Sequence, residues 1–167
     1  MSTLDAHSSA GEQPASAPPS PASELGEFYD RYIQAFNARD EAAFASFFHL
    51  PVTVVHAPRY DERRAGRPLP SVTEPASLLG SVPSHWARST VDQMTPLGDL
   101  AGFAPLDGLV ERDERRLGIV ATATRWNKYG QPYQQINALY VLTREGGQLG
   151  IKVLVELAVA DLPSRSE

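Results

Sequence analysis

The stretch of sequence that decides the fold is residues 119–157, IVATATRWNKYGQPYQQINALYVLTREGGQLGIKVLVEL. Three runs within it, 119–126, 134–143 and 149–157, are rich in the β-branched and aromatic residues that favour strands. The segments between them carry glycine at positions typical of tight hairpins. The sequence therefore predicts three consecutive antiparallel strands joined by short turns.

The two turns also predict which side chains share a face of this sheet. If they are centred on Tyr129-Gly130 and Gly146-Gly147, the alternation of side chains can be counted back along each strand. One face is then apolar, and we expect it to form the core. Its polar exceptions are Arg125, Gln134 and Tyr140.

The opposite face is mixed in character, which suits a subunit interface better than open solvent. It brings Thr122, Asn137 and Glu156 side by side across the three strands. We expect a polar cluster at a dimer interface. If the two faces are exchanged, the same three side chains would instead line a pocket.

Helical patterns precede these strands. Apolar residues recur every three or four positions from Leu25 to Phe36, which predicts an amphipathic helix. Asp40 is placed to cap a second, short helix, and the β-branched run 52–56 predicts a strand.

A third helix is expected after the first strand. Ser71 followed by Glu74 matches a capping box, and Pro83 marks a bend or an end of this helix. Residues 89–117 show no clear period, although Thr90 to Thr95 are compatible with a strand.

The composition indicates one domain with a tail. The chain has 167 residues, of which 42% are hydrophobic, and a single domain has roughly 100–150 residues. Residues 1–23 are dominated by Ser, Ala and Pro, so we expect them to be disordered. The predicted domain covers 24–160, and 161–167 form a C-terminal tail.

Charge and motifs exclude several function classes. With no cysteine, the chain has no disulfide, thiolate nucleophile or Cys-ligated metal. A net charge of −5 disfavours nucleic-acid binding. No run of apolar residues approaches the length of a membrane span, and the first twenty residues lack the pattern of a secretory signal. We therefore expect a cytoplasmic protein with no nucleic-acid or membrane partner.

The order of these elements resembles the nuclear transport factor 2-like superfamily, in its polyketide-cyclase-like (SnoaL-like) bacterial branch. The resemblance rests on residues 28–40, on the 47–51 entry to the first strand and on the hairpins between 122 and 156. It implies an α+β cone in which a curved antiparallel sheet wraps the N-terminal helices around a pocket. It also implies a homodimer through the outer face of the sheet.

Four residues are candidates for acid/base chemistry. His56 ends the first strand, and an imidazole titrates near neutral pH, which suits a general base. Asp92 is an alternative base if its strand turns it inward. Tyr32 and Tyr140 lie on predicted core faces, where either hydroxyl would stabilise an oxyanion. The structural alternatives are a strand-end histidine bonded to a carbonyl, a solvated aspartate and core tyrosines.

The predicted pocket is aromatic. Arg125 must find a carboxylate, a ligand anion or the open edge of the sheet, because an unpaired guanidinium on an apolar face is costly. His49, His56 and His85 match no known spacing of metal ligands, so we expect no metal. The expected ligand-binding residues are Phe28, Phe36, Phe48, Trp86 and Arg125.

These patterns favour two functions. The first is an isomerase, cyclase or dehydratase that transfers protons on a hydrophobic, oxygenated small molecule without a cofactor. The second is a non-catalytic ligand-binding or dimerisation module, since no unmistakable acid/base pair is visible in the sequence.

Overall fold

The computed structural model describes residues 20–57, 71–100 and 115–163. Within these ranges the chain forms three helices and six strands. In chain order they are α1 (Pro21–Ala38), α2 (Glu41–Ala45), β1 (Phe48–Val55), β2 (Ser71–Thr73), α3 (Pro75–Gly80), β3 (Trp86–Asp99), β4 (Leu117–Asn127), β5 (Pro132–Glu145) and β6 (Gln148–Asp161).

The ends of the helices follow local capping chemistry. Ser20 caps α1, so this helix begins before residue 23, the predicted end of the tail. Asp40 accepts a hydrogen bond from the Ala43 amide at 3.0 Å, which confirms it as the N-cap of α2. The predicted capping box at Ser71 is wrong. Ser71 lies in β2, and α3 starts at Pro75 after Glu74, whose side chain makes no cap bond.

The six strands form one sheet in the order β2-β1-β6-β5-β4-β3. Neighbouring strands are antiparallel with one exception, because β1 pairs with β6 in parallel. The sheet is open, with β2 and β3 at its edges. The α+β architecture expected from the sequence is confirmed, and the parallel pair is an addition that the hairpin pattern does not predict.

The core lies between the helices and one face of this sheet. Leu25, Tyr29 and Phe44 are completely or almost completely buried, and they belong to the same cluster as Ile119 and Leu142 from β4 and β5. Among the described helices, none combines the length and the apolar character needed to cross a membrane.

The predicted register of β4 and β5 is correct from Leu117 to Arg125. It is wrong next to the turn, where Trp126 pairs with Pro132 and not with Tyr133, so the turn at Tyr129-Gly130 is not the predicted two-residue turn. Arg125 pairs with Gln134, and Gly146-Gly147 form a two-residue turn in which both φ angles are positive, as that turn requires. Asp161 is the last residue of β6, so this strand extends one residue into the predicted C-terminal tail.

The register departs from the prediction within β6. Leu142 pairs with Ile151 but Val141 pairs with Val153, so Lys152 is an extra residue, a β-bulge. One extra residue transfers the side chains that follow it to the other face of the sheet, here as far as a second shift at Leu157, after which Asn137 pairs with Ala158. Glu156 therefore lies opposite Ala138 on the core side, and its predicted place beside Asn137 on the outer face is wrong.

Candidate functional site

A pocket lies between α1 and the core face of the sheet. Tyr32 and Phe36 of α1 line one side, and Ala138 and Leu154 of the central strands line the other. Its volume is about 80 Å³, whereas pockets for drug-sized ligands hold roughly 300–1,000 Å³. This space accommodates a few water molecules or a small ligand without rearrangement.

An acid/base pair lies at the mouth of the pocket. The Nδ1 atom of His56 is 3.1 Å from the Oε2 atom of Glu156, which also accepts the Ala57 amide at 3.1 Å. A carboxylate only accepts hydrogen bonds, so Nδ1 carries the proton and Nε2 is the free basic nitrogen. The exposed fractions of the two side chains are 53% for His56 and 22% for Glu156, so the histidine is open to an incoming ligand.

The parallel pairing of β1 with β6 creates this pair. Val54 is opposite Leu154 and Val55 is opposite Val155, so the next residues along the two strands, His56 and Glu156, lie side by side. Alternation directs both toward the face that carries the Leu154 side chain, which lines the pocket. The bulge at Lys152 is what places Glu156 in this phase.

Three buried tyrosines form the inner wall. The hydroxyls of Tyr29 and Tyr140 are 3.4 Å apart, and the ring centroids of Tyr32 and Tyr140 are 5.5 Å apart. Tyr29 donates in this long hydrogen bond, which leaves the Tyr140 proton available to a ligand oxygen.

These tyrosines are held in their neutral form. Burial raises the pKa of Tyr29, Tyr32 and Tyr140 above the ordinary value of 10.0. For Tyr140, hydrogen bonds from the other two tyrosines and the charge of Arg125 oppose this rise in pKa. All three hydroxyls can therefore donate hydrogen bonds at neutral pH, as an oxyanion site requires.

Arg125 brings a positive charge to the same pocket. Its Nη1 donates to Gln134 Oε1 at 2.9 Å, and Gln134 in turn donates to Asp161 at 3.1 Å. The predicted neighbour of Arg125 is thus confirmed, and the guanidinium still reaches the pocket wall.

No protein-family model and no curated protein sequence matches this chain. Solved structures do match it. ActVI-ORFA from Streptomyces coelicolor is 15% identical, with a TM-score of 0.53 over 83% of this chain and 95% of that one. Aln2 from another Streptomyces strain is 18% identical, with a TM-score of 0.53 over 83% and 91%.

Two further structures also match over most of both chains, and the description of one of them names the fold. A putative scytalone dehydratase from Novosphingobium aromaticivorans is 13% identical, with a TM-score of 0.53 over 85% of this chain and 87% of that one. A Nostoc punctiforme protein described as having a cystatin-like fold is 11% identical, with a TM-score of 0.51 over 85% and 91%. The chain has the nuclear transport factor 2-like, or cystatin-like, fold. This confirms the fold that the resemblance implies.

In this nuclear transport factor 2-like cone, the structure gathers five of the predicted site residues around one pocket. They are Tyr32, Phe36, His56, Arg125 and Tyr140. Three others lie in the aromatic core beside it. Phe28 packs edge-on against Phe47, Phe48 against Phe44 and Trp86 against Phe36.

Asp92 is not brought into this group. Val91 pairs with Ala123 and Gln93 with Thr122, so Asp92 is the extra residue of a bulge in β3. Its carboxylate accepts hydrogen bonds from Thr124 at 2.7 Å and Gln135 at 3.3 Å, side chains on the outer face. The structure therefore offers Glu156, and not Asp92, as the carboxylate of the site.

Sequence reasoning missed Tyr29 and Ser89 as pocket residues, and it placed Glu156 in a pocket only if the two faces of the sheet were exchanged. Tyr29 lies on the apolar stripe of α1, and its helical spacing was sufficient to place it on the inner side. The position of Glu156 on the pocket side of the sheet depends on the bulge in β6, and the local sequence contains no signal that predicts this bulge. Among the described residues, no group of three His, Asp or Glu side chains is placed to hold a metal ion.

Proposed function

We propose that the protein is an acid/base catalyst of the isomerase, cyclase or dehydratase class, acting on a small oxygenated molecule. The observation that carries this proposal is the His56–Glu156 pair, at 3.1 Å, in the same pocket as the neutral donor Tyr140. A base and an oxyanion donor facing one cavity are the two parts that proton transfer next to a carbonyl needs.

Each side chain has a defined task in this reaction. The Nε2 atom of His56 removes a proton from the carbon next to the substrate carbonyl, and Tyr140 donates a hydrogen bond to the oxygen that becomes negative. Glu156 holds the proton on Nδ1 and stabilises the imidazolium that forms. Return of the proton to another atom completes an isomerisation. In a dehydration, the imidazolium gives the proton to the departing hydroxyl group, which leaves as water while the electron pair of the C–H bond forms the new double bond.

Exchange of carbon-bound protons for deuterium tests this proposal without knowledge of the substrate. The probe is cyclohexanone in D2O, followed by NMR. We expect exchange to be faster with the wild type than in buffer, and about 10²-fold or more slower with H56Q than with the wild type. With Y140F, exchange should be about 10²-fold slower than with the wild type, because this substitution removes the oxyanion donor.

His85→Gln is the matched control, since the His85 ring packs against Tyr133 and does not line the pocket. H85Q should exchange cyclohexanone protons at the wild-type rate. With E156Q, exchange should be at least about tenfold slower than with the wild type, because an amide does not fix the tautomer of His56 as a carboxylate does. Equal rates for the wild type and H56Q would contradict the proposal.

The volume of about 80 Å³ favours a second candidate function, a non-catalytic binding module. Such a module needs the pocket but not the base. In that case a small ligand binds while H56Q and the wild type show the same exchange rate.

A further inference from the structure

Arg125 and Ser89 are cross-strand neighbours on the pocket wall. Their Cα atoms pair across β3 and β4, and both side chains line the cavity. Cβ atoms of directly paired residues are about 4.5–5.5 Å apart. The side chains that carry the guanidinium and the hydroxyl therefore extend from neighbouring backbone positions on the same wall of the pocket.

Within residues 20–57, 71–100 and 115–163, the Arg125 guanidinium has no counter-charge. Its side chain donates to the neutral amide of Gln134 and also interacts with the hydroxyl of Tyr133, and no carboxylate of the described residues lies within ion-pair distance of it. The tyrosines that feel its charge are held neutral by burial. A half-buried cation without an anion is costly unless a ligand supplies one.

The hydroxyl of Ser89 is set up as a donor. Ser89 is 5% exposed, and its Oγ accepts a hydrogen bond from Trp86 Nε1 at 3.3 Å. Its own proton has no acceptor among the described contacts. The Ser89 backbone is fixed as well, because Asn37 donates to its carbonyl at 2.9 Å and accepts from its amide at 2.8 Å.

The orientation of Arg125 is fixed in the same way. Gln134 accepts from its Nη1 and is itself held by Asp161, and Tyr133 is a second neutral neighbour. A guanidinium has five N–H groups, so those that do not face these two side chains are left for another acceptor. A positioned guanidinium with N–H groups to spare and a neighbouring hydroxyl suit a carboxylate, whose oxygens can accept from both groups together.

We propose that Arg125 and Ser89 form a subsite that binds a carboxylate of a small, otherwise apolar ligand. The subsite rests on the proposed function in that it names the substrate class for the same pocket. It lies on β3 and β4, whereas His56 directly follows β1 and Glu156 lies within β6. A ligand anchored by its carboxylate therefore presents another part of itself to the base.

Binding of two ligands that differ only in charge tests this subsite. Benzoate and benzamide are compared by titration calorimetry and by NMR shifts at neutral pH. Hydrogen bonds to a charged group contribute about 1.5–3 kcal/mol, so we expect benzoate to bind the wild type at least about tenfold more tightly than benzamide. R125Q should bind benzoate and benzamide with equal affinity. S89A should lower the affinity for benzoate about threefold to tenfold.

Two further variants make the result specific. Arg88→Gln is the matched control, because Arg88 stacks on Trp126 and does not line the pocket. It should keep the full preference for benzoate. R125K retains the charge but not the fork, so it should keep a reduced preference, and it replaces R125Q if that variant does not fold.

The subsite is overturned if benzoate binds no better than benzamide, if R125Q retains the preference, or if neither ligand binds the wild type at about 10 mM. The proposed catalysis fails separately. H56Q should keep the preference for benzoate while it loses proton exchange. If the wild type prefers benzoate but its proton exchange does not depend on His56, the subsite is supported and the proposed catalysis is contradicted. If exchange depends on His56 but benzoate is not preferred, only the subsite is contradicted.

Discussion

His56 and Glu156 are 100 positions apart in the chain, yet their side chains form a hydrogen bond. The sequence predicts His56 as a candidate because a histidine follows a clear β-branched run. It does not predict the partner, because Glu156 changes face through a single extra residue, Lys152. Composition and alternation carry no information about such a bulge. The candidate carboxylate read from the sequence, Asp92, is displaced to the outer face by a bulge of the same kind.

The buried tyrosines lead to a prediction about stability at high pH. Burial raises the pKa of Tyr29, Tyr32 and Tyr140 in the folded state, whereas in the unfolded state each has the ordinary value near 10.0. Below about pH 10 both states keep these protons, and the free energy of unfolding is unaffected. Above it only the unfolded state loses them, so stability falls by about 1.4 kcal/mol per pH unit for each tyrosine.

Urea unfolding at a series of alkaline pH values measures this slope. Y140F lacks one of the three buried hydroxyls. In the same buffers, its free energy of unfolding should therefore fall less steeply with pH than that of the wild type, by the contribution of one tyrosine. The same slope in both proteins would show that Tyr140 ionises freely in the folded state.

At the scale of elements, the C-terminal end of α1 is fixed to the edge of the sheet. Asn37 makes two hydrogen bonds to the backbone of Ser89, at 2.9 and 2.8 Å. Since β3 is at the edge of the sheet, these backbone groups face away from β4, and no other strand of the described residues pairs with them on that side. In the sequence Asn37 only interrupts an apolar pattern. Its clamping role requires knowledge of where the edge strand lies.

We predict that Asn37→Ala destabilises the protein by about 1–3 kcal/mol, because two partly buried backbone groups lose their partners. Urea unfolding measures the loss. Gln34→Ala removes an amide from the exposed side of the same helix and should change stability by less than about 0.5 kcal/mol. Equal stabilities of N37A and Q34A would mean that water replaces Asn37 without cost.

The regular part of the fold was predictable for a clear physical reason. Hairpins are local, so the Gly146-Gly147 turn fixes the pairing of 145 with 148 and of the residues that follow. The parallel contact of β1 with β6 joins strands far apart in the chain, and no short-range signal specifies it. This long-range contact is the one that builds the candidate acid/base pair.

For the whole molecule, every group of the candidate site comes from one chain. His56, Glu156, Tyr140, Arg125 and Ser89 all line a single pocket of the described structure. The homodimer through the outer face remains a prediction. That face carries Thr122 paired with Asn137, and both side chains are half-buried within one chain. Dimerisation and chemistry would then occupy opposite sides of the same strands.

This separation predicts that the two properties can be uncoupled. Thr122→Arg places a bulky charge at the centre of the outer face, and we expect it to convert a wild-type dimer into a monomer in sedimentation equilibrium at micromolar concentration. Exchange of cyclohexanone protons should stay within about twofold of the wild type, since Thr122 lies on the outer face and does not line the pocket. Glu27→Arg, on the exposed side of α1, is the matched control and should remain dimeric. A monomeric wild type would remove the interface, and a monomeric but inactive T122R would show that a second copy completes the site.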